Sequence, residues 1–143
     1  MALKILYTTH AIATGGRNGH TRSADGLVDV ELSMPKAMGG AGRPGATTPE
    51  DLFAAGYAAC FGSAVDFCSR QLKLAPGSIS IKATVGIGRR DEGGLALAVD
   101  LEATIGGLAK DDAERLVAAA HQVCPYSNAT RGNIDVTLHV VTV

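Results

Sequence analysis

The sequence predicts an α+β fold in which antiparallel sheets pack on two main helices. Three observations indicate this class: a long uncharged segment with helix signals at its start, a second amphipathic helical segment, and runs of β-branched residues around them. The elements are expected in the order three strands, helix, two strands, helix, strand. With 143 residues, the chain is expected to form one domain over residues 1–143.

The first part of the chain is expected to form a three-stranded meander. Leu3–Ala13 alternates apolar and polar residues, as a half-buried strand does. Two further strands are expected over His20–Ala24 and Leu27–Ser33, and Asp25-Gly26 between them is a strong hairpin signal. The glycine-rich segment Pro35–Ala46 then forms a loop that leads into the central helix.

The segment Thr47–Leu74 is expected to contain that central helix. Thr48 is a suitable N-cap, and Pro49 fits the first helical position, followed by acidic residues that complement the helix dipole. From Leu52 to Asp66 the sequence is apolar on nearly all sides, so other elements must surround the helix. This run is only ~13 residues long, whereas a membrane span needs about 20, so no membrane partner is expected.

A hairpin, a helix and a strand are expected after the central helix. Ser78–Arg89 and Leu95–Ile105 are β-branched runs joined by charged residues and glycines, which predicts a long hairpin. Lys110–Val123 has apolar residues on one face and acidic residues near its start, which predicts the second helix. Ile134–Val143 is expected to be the last strand.

Composition argues against several classes of function. The net charge is −1 and the sequence has no basic cluster, whereas nucleic-acid binding needs Lys and Arg on one face. The first ten residues lack the basic and apolar regions of a secretory signal, so a cytoplasmic protein is expected. The three cysteines are an odd number, which favours reduced or redox-active thiols over a structural disulfide framework.

The spacing of the cysteines limits how they can interact. Cys60 lies in the middle of the predicted central helix, and Cys68 follows roughly 12 Å further along its axis. Bridged cysteines need Cα atoms within about 7 Å, so these two cannot pair in an intact helix. Cys124 lies where Pro125 stops the second helix, and it is the only internal partner available to Cys60. A buried cysteine is most often simply a small hydrophobic residue, so spacing alone assigns no function.

Two charged residues and a histidine are further candidates. A redox cysteine in an apolar helix needs a cation to lower its pKa, and Arg17 lies among glycines that let the backbone approach a site or move away. Glu50 could orient such an arginine through bidentate pairing. A solvated turn residue and a helix-terminal charge are the ordinary explanations of these two. His121 and Cys124 have a spacing that two zinc ligands could use, but no second such pair exists, so no metal site is expected.

Two segments resemble the cysteine motifs of a known family. Residues 54–61 (AAGYAACF) and 123–133 (VCPYSNATRGN) closely resemble those of the organic hydroperoxide resistance proteins, the Ohr subgroup of the OsmC/Ohr superfamily. The CPYSN form separates this subgroup from its osmotically induced relatives. The turn TGGRNG, the helix start TPEDLFAAGYAAC and the order of elements also match, so the resemblance covers essentially the whole chain.

The resemblance implies an OsmC-like fold, an intertwined homodimer with sites at the subunit interface, and a thiol peroxidase that reduces organic hydroperoxides to alcohols. It makes Cys60 the peroxidatic thiolate and Cys124 the resolving cysteine that forms a disulfide with it. Arg17 becomes the activating cation and Glu50 its orienting carboxylate. No cofactor is implied, and dihydrolipoyl groups, as dihydrolipoamide or on a lipoylated protein, serve as the reductant. Cys68 matches no functional position and is expected in the core.

The surroundings of the site lead to two more expectations. Met38, Phe53 and Phe61 are expected to line an apolar mouth that favours alkyl or lipid peroxides. Glu50 and Cys60 are roughly 15 Å apart along a straight helix, so one arginine would struggle to reach both, and the groups that serve one Cys60 are expected to come from two chains. The alternative to an enzyme is a non-enzymatic redox sensor or hydrophobic-ligand carrier with the same thiols.

Overall fold

The computed structural model describes residues 2–143, and these fall into two compact units. The N-terminal unit ends at Leu52, and the C-terminal unit covers Phe53–Val143. The α+β fold class is confirmed, because each unit holds a three-stranded sheet and the chain contains the predicted helices. The single domain expected over residues 1–143 stays a prediction.

The N-terminal unit contains the predicted meander. Its antiparallel strands, adjacent in chain order, are β1 (Ala11–Thr14), β2 (His20–Ser23) and β3 (Asp29–Glu31). The first strand begins much later than the expected Leu3, because β2 offers only four residues for pairing and its register with β1 runs from Ala11 to Thr14. Leu3, Ile5, Leu6 and Tyr7 are exposed in this unit.

The C-terminal unit contains the second sheet and the helices. Its strands, adjacent in chain order, are β4 (Ser78–Arg89), β5 (Leu95–Gly106) and β6 (Val136–Thr142). Its helices are α1 (Pro49–Gln71), whose first turn belongs to the N-terminal unit, α2 (Lys110–Val123) and α3 (Pro125–Thr130). The long hairpin and the second helix lie where the sequence predicted them.

Two further details differ from the sequence-based expectation. The sheets were expected to be antiparallel, but β5 and β6 pair in parallel. The intervening α2 and α3 carry the chain back to the end of the sheet where β5 started, which is the crossover that parallel neighbours require. The short helix α3 was also not predicted, because its six residues are too few to show a helical period.

The core of the C-terminal unit lies between the helices and one face of its sheet. Tyr57, Phe61 and Val65 of α1 have no exposed surface, and they pack with Leu101 and Ile105 of β5 and with apolar residues of α2. By length and composition alone α1 could cross a membrane, since 23 residues form the helix. Its fully buried side chains instead form this core, and the expectation of no membrane partner stays a prediction.

Loss of the hydroxyl of Thr48 should destabilise the start of α1. The amide of Asp51 donates to Thr48 Oγ1 at 3.1 Å, which is the predicted N-cap bond. We expect Thr48→Ala to lower the free energy of unfolding by about 1 kcal/mol in chemical denaturation. Thr8→Ala is the control, because Thr8 is exposed and outside regular structure. Equal stability of the two variants would contradict a role of this cap.

Candidate active site

Two of the three cysteines lie side by side in the C-terminal unit. The Sγ atoms of Cys60 and Cys124 are 3.7 Å apart, and the thiol of Cys124 donates toward that of Cys60. Both are unbonded thiols, Cys60 half-buried and Cys124 without exposed surface. A disulfide has an S–S length of about 2.05 Å, so bond formation requires the sulfurs to approach by roughly 1.7 Å. This pair has the arrangement needed for reversible dithiol–disulfide chemistry.

The end of α2 positions Cys124. Its amide donates to the carbonyl of Ala120 at 2.9 Å, as in a helix, but its own backbone is extended, with φ −62° and ψ 124°. Pro125 follows as the first residue of α3, where its missing N–H costs no helical hydrogen bond. Cys124 is therefore the joint between two helices, and at this joint its side chain meets α1.

The surroundings of Cys60 act on its pKa in opposite directions. Burial raises the pKa of the Cys60 thiol above its ordinary value. The backbone amide of Tyr126, near the start of α3, lowers this pKa, while neighbouring Cys124 raises it because two groups so close resist joint ionisation. The net direction is upward. Within the C-terminal unit these effects favour the neutral Cys60 thiol over the thiolate, which is the nucleophilic form.

Cys68 lies apart from this pair. It is buried in the hydrophobic core of the C-terminal unit, as expected, and burial alone raises its pKa. A thiol with a raised pKa and little access to solvent is chemically inert.

A largely buried hydrogen-bond network links α1, α2 and α3, and sequence reasoning missed it. Ser127 Oγ lies 2.8 Å from the hydroxyl of Tyr57 and 2.8 Å from Nδ1 of His121. The Tyr57 hydroxyl also lies 3.3 Å from Oγ1 of Thr130, which donates to the carbonyl of Ser127 at 3.1 Å. Burial lowers the pKa of His121, and the charge of Arg131 lowers it further. The only sequence signal was the serine within the CPYSN motif, and its partner Tyr57 is 70 residues away in the chain.

Aromatic side chains join α1 and α3 beside the cysteines. The ring centroids of Tyr57 and Tyr126 are 5.7 Å apart, and the ring of Phe53 lies 6.0 Å from Tyr57 and 6.2 Å from Tyr126. A Cβ atom at Gly56 would lie 3.0 Å from the Tyr126 hydroxyl, so a side chain there would require the Tyr126 ring to shift by a few tenths of an ångström. These contacts place the Tyr126 backbone close to Cys60.

An apolar cavity of about 540 Å³ adjoins this aromatic cluster. Its lining is mainly apolar and includes Phe53, Leu95, Leu97, Tyr126, Ala129 and Ile134, but Arg90, Thr130 and Asn133 also line it. The prediction for Phe53 agrees with this cavity, but the prediction for Phe61 is wrong, because that ring is fully buried in the core next to His121. Met38 belongs to the N-terminal unit. Neither cysteine lines the cavity, and Tyr126 connects the two features, because it lines the cavity and its backbone amide faces Cys60.

The two predicted charged residues form an ion pair in the N-terminal unit. Nη1 of Arg17 lies 2.8 Å from Oε2 of Glu50, and Nη2 lies 2.5 Å from Oε1. This is the bidentate geometry that the sequence suggested. The pair is partly buried, with 27% of the Arg17 side chain and 14% of the Glu50 side chain exposed. The guanidinium holds the pKa of Glu50 below its ordinary value, and Glu50 raises the pKa of Arg17, so both stay charged.

The turn around Arg17 depends on its glycines. Gly15 and Gly16 have φ values of 75° and 58°, in the left-handed region that favours glycine. A Cβ atom at Gly19 would lie 1.7 Å from the carbonyl oxygen of Thr14, so no side chain fits there. The side-chain oxygen of Asn18 accepts the amide of Met34 at 3.0 Å and ties the turn to the following loop. The glycines therefore fix this turn rather than loosen it.

Among residues 2–143, no group of three or more His, Cys, Asp or Glu side chains is placed to hold a metal ion. His121, the one histidine considered as a ligand beside Cys124, contacts Ser127 through Nδ1.

Comparisons with known proteins agree on one family. Residues 40–139 match the family model described as OsmC-like protein. The chain is 55% identical over 136 residues to the organic hydroperoxide resistance protein of Xanthomonas axonopodis pv. citri (strain 306), with 94% of each covered. Solved organic hydroperoxide resistance proteins from Legionella pneumophila and Elizabethkingia anophelis are 52% and 50% identical, with TM-scores of 0.91 and 0.92. The alignment with the Legionella pneumophila protein covers 96% of this chain and 99% of that protein. The alignment with the Elizabethkingia anophelis protein covers 99% of this chain and 100% of that protein.

The Arg17–Glu50 pair should make stability depend on pH in the acid range. Because the pKa of Glu50 is lowered on folding, the pair stabilises the fold above the ordinary value of 4.5, and this stabilisation is lost as pH falls through the folded-state pKa. We expect Glu50→Gln to cost roughly 1–2 kcal/mol at neutral pH, a cost that disappears in acid. The measurement is denaturant unfolding across pH.

The control for this experiment is Asp66→Asn. It breaks the Asp66–Arg70 pair, whose side chains are 60% and 64% exposed, so we expect little loss at any pH. A Glu50→Gln cost that stays constant with pH would contradict the ion-pair explanation.

Proposed function

We propose, on the premise that the chain belongs to the OsmC-like family and to its organic hydroperoxide resistance branch, that it is a cysteine-based peroxidase reducing organic hydroperoxides to alcohols. The observation that carries the proposal is the approach of Cys60 and Cys124 to 3.7 Å, since a thiol that reacts with peroxide needs a second thiol nearby to avoid overoxidation. Three free cysteines and the need for a reducing environment fit a cytoplasmic protein.

In the first step the Cys60 thiolate attacks the outer oxygen of the hydroperoxide. An S–O bond forms and the O–O bond breaks, so the sulfur is oxidised by two electrons to a sulfenic acid. The inner oxygen leaves as an alkoxide and becomes the alcohol on protonation. A neighbouring cation stabilises both the thiolate and the departing alkoxide, and this is the role we assign to Arg17, with Glu50 orienting it.

In the second step the Cys124 thiol condenses with the sulfenic acid. The sulfurs join as a disulfide, and the sulfenic oxygen leaves as water with the proton of Cys124. A dithiol must then reduce the disulfide, and dihydrolipoamide or a lipoylated protein supplies two electrons and two protons by thiol–disulfide exchange. No bound cofactor takes part in this cycle.

The substrate class follows from the cavity beside Tyr126. Its mainly apolar lining offers an alkyl or lipid hydroperoxide a favourable environment that hydrogen peroxide does not need. Rates with a fatty-acid hydroperoxide, a small alkyl hydroperoxide and hydrogen peroxide test this preference.

Replacement of each cysteine should separate their roles. Cys60→Ser should abolish peroxide reduction, because a serine hydroxyl does not replace a thiolate. Cys124→Ser should react once and then proceed to sulfinic acid as peroxide increases. Cys68→Ser should keep turnover and lose at most some stability. Intact mass and free-thiol counts after stepwise addition of an organic hydroperoxide measure all three.

Wild-type protein should lose two thiols and keep Cys68 free in the same titration. A disulfide that includes Cys68, or a Cys124→Ser protein that turns over normally, would show that the resolving role belongs elsewhere. Consumption of one peroxide equivalent in the presence of excess dihydrolipoamide, instead of many, would indicate the alternative sensor or carrier.

Replacement of Arg17 should slow the first step, and it also tests whether the site joins two chains. Loss of one such charged donor typically costs ~10²–10³-fold in rate, and Arg17→Lys should rescue little because lysine lacks the fork that binds Glu50. We propose a homodimer in which Arg17 and Glu50 serve Cys60 of the other chain. Mixing Arg17→Ala chains with Cys60→Ser chains should then restore peroxidase activity in the heterodimers.

The matched control for the mixing experiment is a single chain with both substitutions, co-refolded with each single variant. If activity returns when Arg17→Ala chains are mixed with Cys60→Ser chains, and not in the control mixtures, the result supports a site shared between two chains. No rescue despite demonstrated heterodimers would place Arg17 and Cys60 of a site on one chain, and an active monomer would refute the dimer requirement.

A further inference from the structure

The hydroxyl of Ser127 ties together the three helices around the cysteine pair. It lies 2.8 Å from the Tyr57 hydroxyl on α1 and 2.8 Å from His121 Nδ1 on α2, while Ser127 itself belongs to α3. Ser127 and Tyr57 have no exposed surface. The hydroxyl carries one hydrogen, so it donates in at most one of these contacts and accepts in at least one. We call these three side chains the serine junction.

Each member of the serine junction lies three residues from one of the two reacting cysteines. Tyr57 precedes Cys60 by three residues on α1, and residues at this spacing are neighbours on one helix face. His121 precedes Cys124 by three residues, and Ser127 follows it by three. The His121–Ser127 bond therefore spans the joint at which Cys124 lies, and the Tyr57–Ser127 bond links this joint to the helix that carries Cys60.

The joint between α2 and α3 needs side-chain restraints because few backbone hydrogen bonds hold it in place. Pro125 interrupts the run of helical hydrogen bonds between α2 and α3, and α3 has only six residues. The amide of Asn128 bonds the carbonyl of Cys124 at 2.9 Å, but that bond lies within α3 and does not connect it to α1. The contact of Cys124 with Cys60 therefore depends on side chains.

We propose that the serine junction positions Cys124 for the resolving step, so that the sulfenic acid of Cys60 forms a disulfide before a second peroxide arrives. The inference rests on the proposed function. The hydrogen bonds of the junction go to hydroxyls and an imidazole and not to either sulfur, so Tyr57, Ser127 and His121 are positioning residues. Without it, the α2–α3 joint samples arrangements with the sulfurs further apart, condensation slows, and more Cys60 proceeds to sulfinic acid.

The test compares Tyr57→Phe and Ser127→Ala with wild type after a fixed excess of an alkyl hydroperoxide. Each variant removes one hydroxyl of the junction and keeps most of the side-chain volume. We expect the ratio of sulfinic acid to disulfide, measured by intact mass, to rise roughly threefold to tenfold, in line with loss of one hydrogen bond. The effect on disulfide formation should exceed any effect on sulfenic acid formation, as followed by stopped flow.

The matched control is Ser69→Ala. Ser69 is a buried serine like Ser127, but it belongs to α1. Its Oγ donates to the carbonyl of Asp66 at 2.6 Å, three residues earlier on the same helix. Its loss should lower stability similarly and leave the ratio of sulfinic acid to disulfide at the wild-type value. If Ser127→Ala does not fold, Tyr57→Phe decides the test, because the phenyl ring preserves the aromatic cluster.

An unchanged ratio in folded Tyr57→Phe, or an equal rise in Ser69→Ala, would overturn the inference while the proposed function stands. Wild-type protein that forms no Cys60–Cys124 disulfide with the hydroperoxide would overturn the proposed function and the inference with it. A raised ratio in both junction variants and not in the control supports the positioning role.

Discussion

The contact between Cys60 and Cys124 depends on α2 ending where it does. If α2 continued past residue 124, Cys124 would be an ordinary helical residue and α3 would not turn back against α1. Pro125 prevents that continuation, and the extended backbone of Cys124 makes the joint. The aromatic contacts of Tyr126 and the hydroxyl contacts of Ser127 then hold α3 on α1. The ring of Pro125, because it ends α2, therefore helps to set the distance between the two sulfurs.

The same packing that brings the thiols together makes Cys60 a poorer nucleophile. Burial in an apolar core raises the pKa of Cys60, and one backbone amide from the start of α3 only partly offsets this. A dry site is nevertheless useful, because it excludes water and strengthens any charge placed there. In the N-terminal unit, the bidentate pairing of Arg17 with Glu50 fixes the orientation of the guanidinium while leaving part of it exposed.

The sequence predicted most of the regular elements because their signals are local. The N-cap of α1, the bounds of α2 and the hairpin of β4 and β5 each follow from residues adjacent in the chain. Three predictions were wrong for a different reason. The first strand was expected to start too early, the last strand was expected to pair antiparallel, and α3 was not expected. Each concerns what a segment finds beside it, or a helix too short to show a period, and local patterns do not contain that information.

At the site, the sequence by itself determined the chemical groups: two cysteines at positions that could pair, an arginine between glycines and a carboxylate at a helix start. Motif resemblance then supplied the family. Only the tertiary structure decided that the sulfurs lie 3.7 Å apart, that Phe61 is buried in the core and that Ser127 joins Tyr57 to His121. The physical reason is that a hydroxyl or a ring takes its role from its contacts, and these contacts connect helices up to 70 residues apart in the chain.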